Sequence, residues 1–107
     1  MNKKSKSLGM EITTFRLNGH TYQEFIKANH DIDEWLCRQP GFQSRYIAED
    51  DGGVIVDVLI WNSVADGTKA MHKIITETRD SKVHDMIDHG TVVWKCIPIY
   101  RSYKLDN

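Results

Sequence analysis

Residues 54–61 read Val54-Ile55-Val56-Asp57-Val58-Leu59-Ile60-Trp61, and Asp57 is their single polar side chain. A strand with one face in water alternates between apolar and polar residues, and this stretch does not alternate. Both faces of the strand are therefore predicted to be covered. The preceding Asp50-Asp51-Gly52-Gly53 is typical of a tight hairpin turn, which pairs the strand with residues 42–49.

Two more strands lie near the ends of the chain. Residues 11–17 are β-branched and aromatic, a composition that favours a strand. Residues 91–103 form a long closing strand. Pro98 has no amide hydrogen to donate, so this strand is expected at an edge of the sheet, or with the Pro98 side unpaired.

Helix signals fill the two remaining intervals. Thr21 and Glu24 stand at capping-box spacing before a helical stripe, in which Asn29 is the one polar member. That helix is expected to end before Pro40. Ser63 is placed to cap a second helix, and Gly90 to end the short helical piece that follows it.

The order strand, helix, strand, strand, helix, strand predicts a ferredoxin-like α+β domain. It is a four-stranded antiparallel sheet with the first and third strands central and two helices on one face. We expect this domain over residues 11–104, after a flexible tail over residues 1–10. Two helices cover only one sheet face, so residues 54–61 indicate a partner on the other face. A homodimer is the simplest such partner.

Composition excludes several classes of function. The chain has 107 residues, enough for one domain, and its net charge of −1 gives no overall attraction to nucleic acid or to an anionic membrane. No apolar run follows the N-terminal lysines, so neither a signal peptide nor a membrane span is expected. Cys37 and Cys96 form no CxxC pair, and we interpret them as reduced thiols of a cytoplasmic protein.

Asp57 is the most informative polar residue. A carboxylate in an apolar strand is expected to be paired, hydrogen-bonded or shifted in pKa. It is a candidate general base, but it can also pair with Arg45 across the hairpin or with Arg16 on the first strand. If Asp51-Gly52 forms a two-residue turn, Tyr46 stands opposite Asp57. A structural pair is the simpler of these interpretations.

Other side chains offer weaker signals. His72 on the second helix is a candidate proton shuttle at the border of a helix–sheet cleft, unless it is simply exposed. Trp94 and Tyr46 are able to stack on a flat ligand, although packing accounts for them equally well. Trp61 is a candidate for the wall of a ligand pocket, although a large aromatic at a strand end more often fills the helix–sheet core. The histidines form no HxH or HExxH motif, so no metal is predicted. No glycine-rich phosphate loop leads from a strand into a helix, so no nucleotide cofactor is predicted either.

Several short segments resemble the antibiotic biosynthesis monooxygenases of the dimeric α/β barrel superfamily. They are Pro40-Gly41-Phe42, the stretch from Asp57 to Trp61, Ser63, Ala70 and the Ile87-Asp88 pair. The resemblance runs from about Glu11 to Tyr103. It implies two ferredoxin-like domains paired as a dimeric α/β barrel, with a cleft between each sheet and its own helices.

The resemblance also implies a function. Similar proteins oxygenate polyphenols without a cofactor or degrade haem, and many have no established activity. We therefore expect the cleft to bind a small planar organic molecule and to oxygenate it without a cofactor. The alternative is a non-catalytic ligand-binding or structural dimer of the same fold. The candidate residues are His72 and Asp57 as bases, and Trp61, Trp94, Tyr46 and Arg45 at the ligand.

Haem degradation is not expected. Haem-degrading relatives use an asparagine on the first strand together with a tryptophan and a histidine on the second helix. The first strand here offers Thr13, Thr14 and Arg16 instead, and the second helix has no tryptophan.

Overall fold

A computed structural model of the chain describes residues 7–105. Its elements are, in chain order, β1 (Gly9–Leu17), α1 (Tyr22–Ala28), α2 (His30–Cys37), β2 (Phe42–Glu49), β3 (Val54–Trp61), α3 (Val64–Glu77), α4 (Val83–Met86) and β4 (Ile87–Pro98). The sheet order is β2-β3-β1-β4, and every neighbouring pair is antiparallel. The ferredoxin-like α+β prediction, with the first and third strands central, is confirmed.

The predicted start signals form as expected. Thr21 and Glu24 exchange both capping-box hydrogen bonds at 2.8 and 3.1 Å. The hydroxyl of Ser63 accepts a hydrogen bond from the backbone N–H of Asp66 at 3.1 Å. Because each cap satisfies an amide that has no partner inside its helix, these two residues fix where α1 and α3 begin.

The first predicted helix is two helices, α1 and α2, which meet at Asn29. There the backbone N–H bonds to the carbonyl of Ile26, three residues back, at 3.1 Å, with φ −82° and ψ 1°. Asparagine favours such breaks because its short amide competes for nearby backbone groups. The apolar stripe nevertheless continues, since Phe25 on α1 and Leu36 on α2 are both buried.

The end of the chain differs from expectation in two places. Gly90 does not end the short helix α4, since β4 begins at Ile87 and Gly90 lies within it. The closing strand ends at Pro98, short of residue 103. As predicted from Pro98, β4 is an edge strand. None of the helices in residues 7–105 is long and apolar enough to cross a membrane.

Strand β3 presents a different set of apolar side chains on each face. Alternate residues starting at Ile55 are buried against the helices, whereas those starting at Val54 are half-buried on the outer face. Val58, on that outer face, stands opposite Ile12 and Tyr46 in the neighbouring strands. The lack of alternation thus reflects two apolar faces, of which the helices of the same chain cover one.

Candidate functional site

A cavity of about 280 Å³ lies between the sheet and the helices. Each helix contributes apolar side chains to its wall, for example Phe25, Leu36, Ile74 and Val83. The polar or charged lining residues are Glu11, Thr13, Asn29, Arg45, Asp57, His84 and His89. An apolar cavity with a few converging polar groups is the usual form of a small-molecule site, and this one is near the lower limit of about 300 Å³.

Glu11, on central strand β1, is a buried carboxylate held by two tryptophans. Its Oε1 accepts a hydrogen bond from Trp61 Nε1 at 2.8 Å, and its Oε2 accepts one from Trp94 Nε1 at 2.6 Å. Burial raises the pKa of Glu11, and this effect outweighs the indole hydrogen bonds, which lower it. The charge of Asp57 also raises this pKa, and that of Arg45 lowers it. Glu11 is therefore a stronger base than an ordinary glutamate.

The register of the sheet explains why these three side chains meet. Glu11 stands opposite Leu59 on β3 and opposite Cys96 on β4. Trp61 is two residues beyond Leu59, and Trp94 is two residues before Cys96. Both are diagonal neighbours of Glu11 on the same face, within reach of long side chains.

Glu11 was not among the site residues predicted from the sequence. Its partners lie 50 and 83 residues away, and no local pattern connects them. The available signal was a carboxylate within a strand of otherwise β-branched and aromatic residues, the same signal that selected Asp57.

Asp57 forms an ion pair with Arg45, one of the alternatives that the sequence left open. The guanidinium donates from Nε to Oδ1 at 3.0 Å and from Nη2 to Oδ2 at 2.8 Å. Its Nη1 donates to Asp33 on α2 at 2.8 Å. Burial lowers the pKa of Arg45, but the hydrogen bonds and charges of the two aspartates outweigh it and raise that pKa.

The hairpin sets the register that allows this pair. Asp50 and Val54 close a loop of three residues, with Gly53 at φ 83°, rather than a two-residue turn. Ile47 therefore stands opposite Asp57, and Tyr46 stands opposite Val58. Arg45, on the inner face like Ile47, reaches Asp57 diagonally.

The structure brings together three of the six predicted site residues at the cavity wall, namely Asp57, Arg45 and Trp94. The other three do not line it. His72 is exposed on α3, and Tyr46 is exposed on the outer face of the sheet. Trp61 is fully buried beside Phe42, with ring centroids 5.5 Å apart. The roles of all six residues stay predictions.

Two histidines that were not predicted as site residues, His84 and His89, also line the cavity. Nε2 of His84 lies 2.9 Å from Thr78 Oγ1 and 3.0 Å from the Thr78 carbonyl oxygen. Nε2 of His89 lies 2.7 Å from the His84 carbonyl oxygen. A carbonyl only accepts, so each Nε2 carries a proton. Across residues 7–105, no group of three or more His, Cys, Asp and Glu side chains is placed to hold a metal ion.

Solved structures share this architecture. SnoaB, a cofactor-independent oxygenase from Streptomyces nogalater, superposes with a TM-score of 0.70 and 13% identity, over 90% of this chain and 96% of SnoaB. The ActVA-Orf6 monooxygenase of Streptomyces coelicolor, solved in complex with Nanaomycin D, superposes with a TM-score of 0.69 and 19% identity, over 95% of each chain. A Nitrosomonas europaea protein assigned to the antibiotic biosynthesis monooxygenases superposes with a TM-score of 0.66 and 16% identity, over 92% of this chain and 96% of that one.

The chain has the antibiotic biosynthesis monooxygenase-like fold. At these identities the likeness concerns the fold. No protein-family model and no curated protein matches the sequence. In this monooxygenase-like fold, the cavity described above occupies the space between sheet and helices where the sequence resemblance placed the cleft.

Proposed function

We propose that this protein is a homodimer that binds a small planar organic molecule in its helix–sheet cavity and oxygenates it with O₂, without a cofactor. The observation that carries this proposal is the buried carboxylate of Glu11, whose pKa is raised by burial at the wall of an apolar cavity. The descriptions of two similar structures, a cofactor-independent oxygenase and a monooxygenase with an organic ligand, support the same chemistry.

The reaction asks little of the protein, because the substrate supplies the electrons. A base removes a proton from an activated carbon or a phenol, and the resulting anion donates an electron to O₂. For a methylene flanked by aromatic rings, as in an anthrone, the carbon loses two hydrogens and gains one oxygen atom as a carbonyl. The second oxygen atom leaves as water. The cavity provides the base and excludes solvent.

Glu11 is the base that we favour within this scheme. Burial brings the pKa of Glu11 closer to the pKa of an effective general base near neutral pH. The two indole hydrogen bonds hold its carboxylate in one orientation. Both oxygens of Asp57 are already engaged by Arg45, so protonating Asp57 would break an ion pair. His72 lies outside the cavity lining and would act only after a movement of α3.

A second copy of the chain is proposed on the outer face of the sheet. Tyr46 and Val93 are each 63% exposed on that face, and Ile97 is 42% exposed. A largely apolar sheet face is a typical protein interface, although Lys95 also lies on this face, between Val93 and Ile97. Pairing two such faces would produce the dimeric barrel that the resemblance implies. The free thiols Cys37 and Cys96 are consistent with a cytoplasmic location, which we also propose.

Oxygen uptake with a panel of anthrones and hydroquinones tests the activity. We expect uptake with at least one compound, and a loss of about 100-fold in kcat for Glu11→Gln, as is usual when a general base is removed. Asp57→Asn and His72→Ala are measured beside it. A loss confined to His72→Ala would move the base to α3.

The alternative is a ligand-binding dimer without catalysis. One observation favours it: both carboxylates of the cavity wall already have structural hydrogen-bond partners. Absence of uptake with every compound, combined with binding of the same compounds, would establish this alternative for the panel.

A further inference from the structure

One row of side chains crosses the outer face of the sheet from edge to edge. Ile12 on β1 stands opposite Val58 on β3 and opposite Lys95 on β4. Val58 in turn stands opposite Tyr46 on β2. Directly opposite side chains point to the same face of a sheet. This central row therefore has a cation at one edge of the sheet and an aromatic ring at the other.

Lys95 is the single charged side chain in the middle of this face. The rows on either side of the central row are made of uncharged residues, namely Ile97, Met10, Ile60 and Ser44 on one side, and Val93, Thr14, Val56 and Ala48 on the other. Within residues 7–105, Lys95 forms no ion pair with an acidic side chain. Covering an ammonium group without supplying a partner is costly. A second copy on this face is therefore expected to place a suitable group beside Lys95.

Two arrangements of the copies place their outer faces together. Identical sheets packed face to face are related by a two-fold axis that lies between them. If the axis runs along the strands, between β1 and β3, each β4 lies over β2 of the other copy. If it runs across the strands, β4 lies over β4. Packed sheets are about 10 Å apart, so long side chains from both copies are able to meet.

The charge of Lys95 favours the axis along the strands. Such an axis preserves the height of each residue along the strands, so the central row of one copy faces the central row of the other. Lys95 then meets Tyr46 of the second copy, and an aromatic ring attracts an ammonium group. With the axis across the strands, Lys95 faces a β4 whose outer side chains are Val93, Lys95 and Ile97, which are apolar or cationic.

The sizes of the neighbouring side chains favour the same axis. On β4 the central lysine is flanked by the large residues Val93 and Ile97, and on β2 the tyrosine is flanked by the small residues Ala48 and Ser44. The axis along the strands places Ile97 over Ser44 and Val93 over Ala48. Each large side chain of one edge thus meets a small one of the other. The outer face is complementary to itself in both charge and size, as a two-fold interface requires.

We infer that the second copy is related by a two-fold axis that runs along the strands between Ile12 and Val58, so that Lys95 of each copy contacts the ring of Tyr46 of the other. This deepens the homodimer proposed above and rests on the outer sheet face being its interface. The contact occurs twice, once at each edge of the paired sheets. There the lysine stem packs on the ring while the ammonium group keeps part of its water.

Cysteine cross-linking of the full-length protein tests this arrangement. The background carries Cys37→Ser and Cys96→Ala, which remove the free thiols. Chains with Tyr46→Cys and chains with Lys95→Cys are mixed in equal amounts and treated with a bis-maleimide whose reach matches the sheet separation of about 10 Å. We expect covalent dimers of mixed composition, identified by mass. Neither chain alone should cross-link, because its two introduced thiols lie three strand spacings apart, about 14 Å, at opposite edges.

The outcomes separate this inference from the dimer on which it rests. Cross-linking of either chain alone, with none in the mixture beyond it, would indicate an axis across the strands and overturn the inference. A dimer that gives no cross-link would also overturn it. A wild type that is monomeric at micromolar concentration would overturn the homodimer and the inference together. Ile26→Cys mixed with Tyr46→Cys is the control, since Ile26 is exposed on α1; a yield equal to that of the test mixture would count against the inference.

A double-mutant cycle needs no introduced cysteine and stands if the cysteine variants fail to pair. Sedimentation equilibrium gives the dimer dissociation constant of wild type, Tyr46→Leu, Lys95→Met and the double variant. We expect a coupling of about tenfold, because a cation–π contact contributes a factor of about three and occurs twice. Arg38→Met in place of Lys95→Met is the matched control, since Arg38 is an exposed cation at the end of α2, and its coupling to Tyr46→Leu should be about one. Independent effects of Tyr46→Leu and Lys95→Met would contradict the inference.

Discussion

Arg45 binds Asp57 through two parallel hydrogen bonds, from Nε to Oδ1 at 3.0 Å and from Nη2 to Oδ2 at 2.8 Å. The two side chains are 10% and 11% exposed. A third hydrogen bond joins Arg45 to Asp33 on α2. One side chain of β2 therefore connects β3 to the helical layer, and it does so at the cavity wall.

Removing the arginine leaves Asp57 without a cation in a buried setting. We expect Arg45→Met to lower the free energy of unfolding by about 3 kcal/mol at neutral pH, as for other buried pairs that lose one partner. Urea denaturation measures this change through the midpoint. Arg38→Met is the control, because Arg38 is exposed, and we expect it to change stability by no more than about 0.5 kcal/mol. A similar loss in both variants would contradict a special role for the pair.

Glu11 is expected to titrate above 4.5, its ordinary value, because burial disfavours its charged form. Carbon-13 NMR of the side-chain carboxyl group follows this titration directly. Glu24 gives an internal comparison in the same experiment, since the hydrogen bond from the Thr21 backbone lowers its pKa below 4.5. If the two glutamates titrate together, the burial of Glu11 has no electrostatic consequence.

The raised pKa of Glu11 also has a defined effect on stability. The folded state holds the carboxyl proton of Glu11 more tightly than the unfolded state does. The resulting contribution to the free energy of unfolding is therefore fully present below pH 4.5 and is lost as pH rises through the folded pKa. Glu11→Gln cannot titrate. The free energy of unfolding of Glu11→Gln should therefore not include this loss. Measured relative to wild type, the stability of the variant should increase as pH rises from 4.5 through the folded pKa of Glu11.

Gly67→Ala is expected to destabilise the protein, although alanine favours helices. A Cβ at Gly67 would lie 2.8 Å from Trp61 Cδ1 and 3.0 Å from Cys96 Sγ. Overpacking costs about 1–3 kcal/mol, and the helix propensity of alanine returns about 1 kcal/mol. We expect a net loss of about 1 kcal/mol in thermal or urea unfolding. Lys69→Ala, at an exposed position of the same helix, is the control and should be neutral or slightly stabilising. A higher stability for Gly67→Ala than for the wild type would contradict the prediction and show that α3 moves freely away from the sheet.

Val93→Asp is expected to dissociate the proposed homodimer without unfolding the protomer. Val93 is 63% exposed on the outer sheet face, and a pair of unpaired carboxylates in an interface would raise the dimer dissociation constant by about 100-fold or more. Sedimentation equilibrium measures this constant. Ile26→Asp, an exposed apolar position on α1, is the matched control. A wild type that is monomeric at micromolar concentration would remove the dimer proposal.

Local signals in the sequence predicted most of the fold. The capping box at Thr21, the cap at Ser63 and the turn before Val54 are short-range patterns, and each lies where expected. Two local features were misread: the break at Asn29 went unrecognised, and Gly90 lies within β4 and does not end α4. Asn29 occupies a place in the apolar stripe, so periodicity alone continues the helix through it.

The candidate site was predicted less completely, because it depends on register. Asp57 was predicted as a site residue, and its ion pair with Arg45 was among the alternatives. The third residue of the hairpin loop then decided which side chain of β2 stands opposite Asp57. Glu11 meets Trp61 and Trp94 only after three strands are aligned. Such contacts are set by the whole sheet and not by any segment of the chain.

The two faces of β3 have a consequence for how substitutions along this strand would behave in a library of variants. In the proposed dimer, changes at Val54, Val56, Val58 and Ile60 would weaken association, so their effect on melting temperature would vanish far below the dimer dissociation constant and grow as protein concentration rises. Changes at Ile55 and Leu59 would act within the protomer and persist at any concentration. Screening one library at two concentrations would therefore separate the residues that assemble the protein from those that fold it, in alternating order along eight consecutive positions.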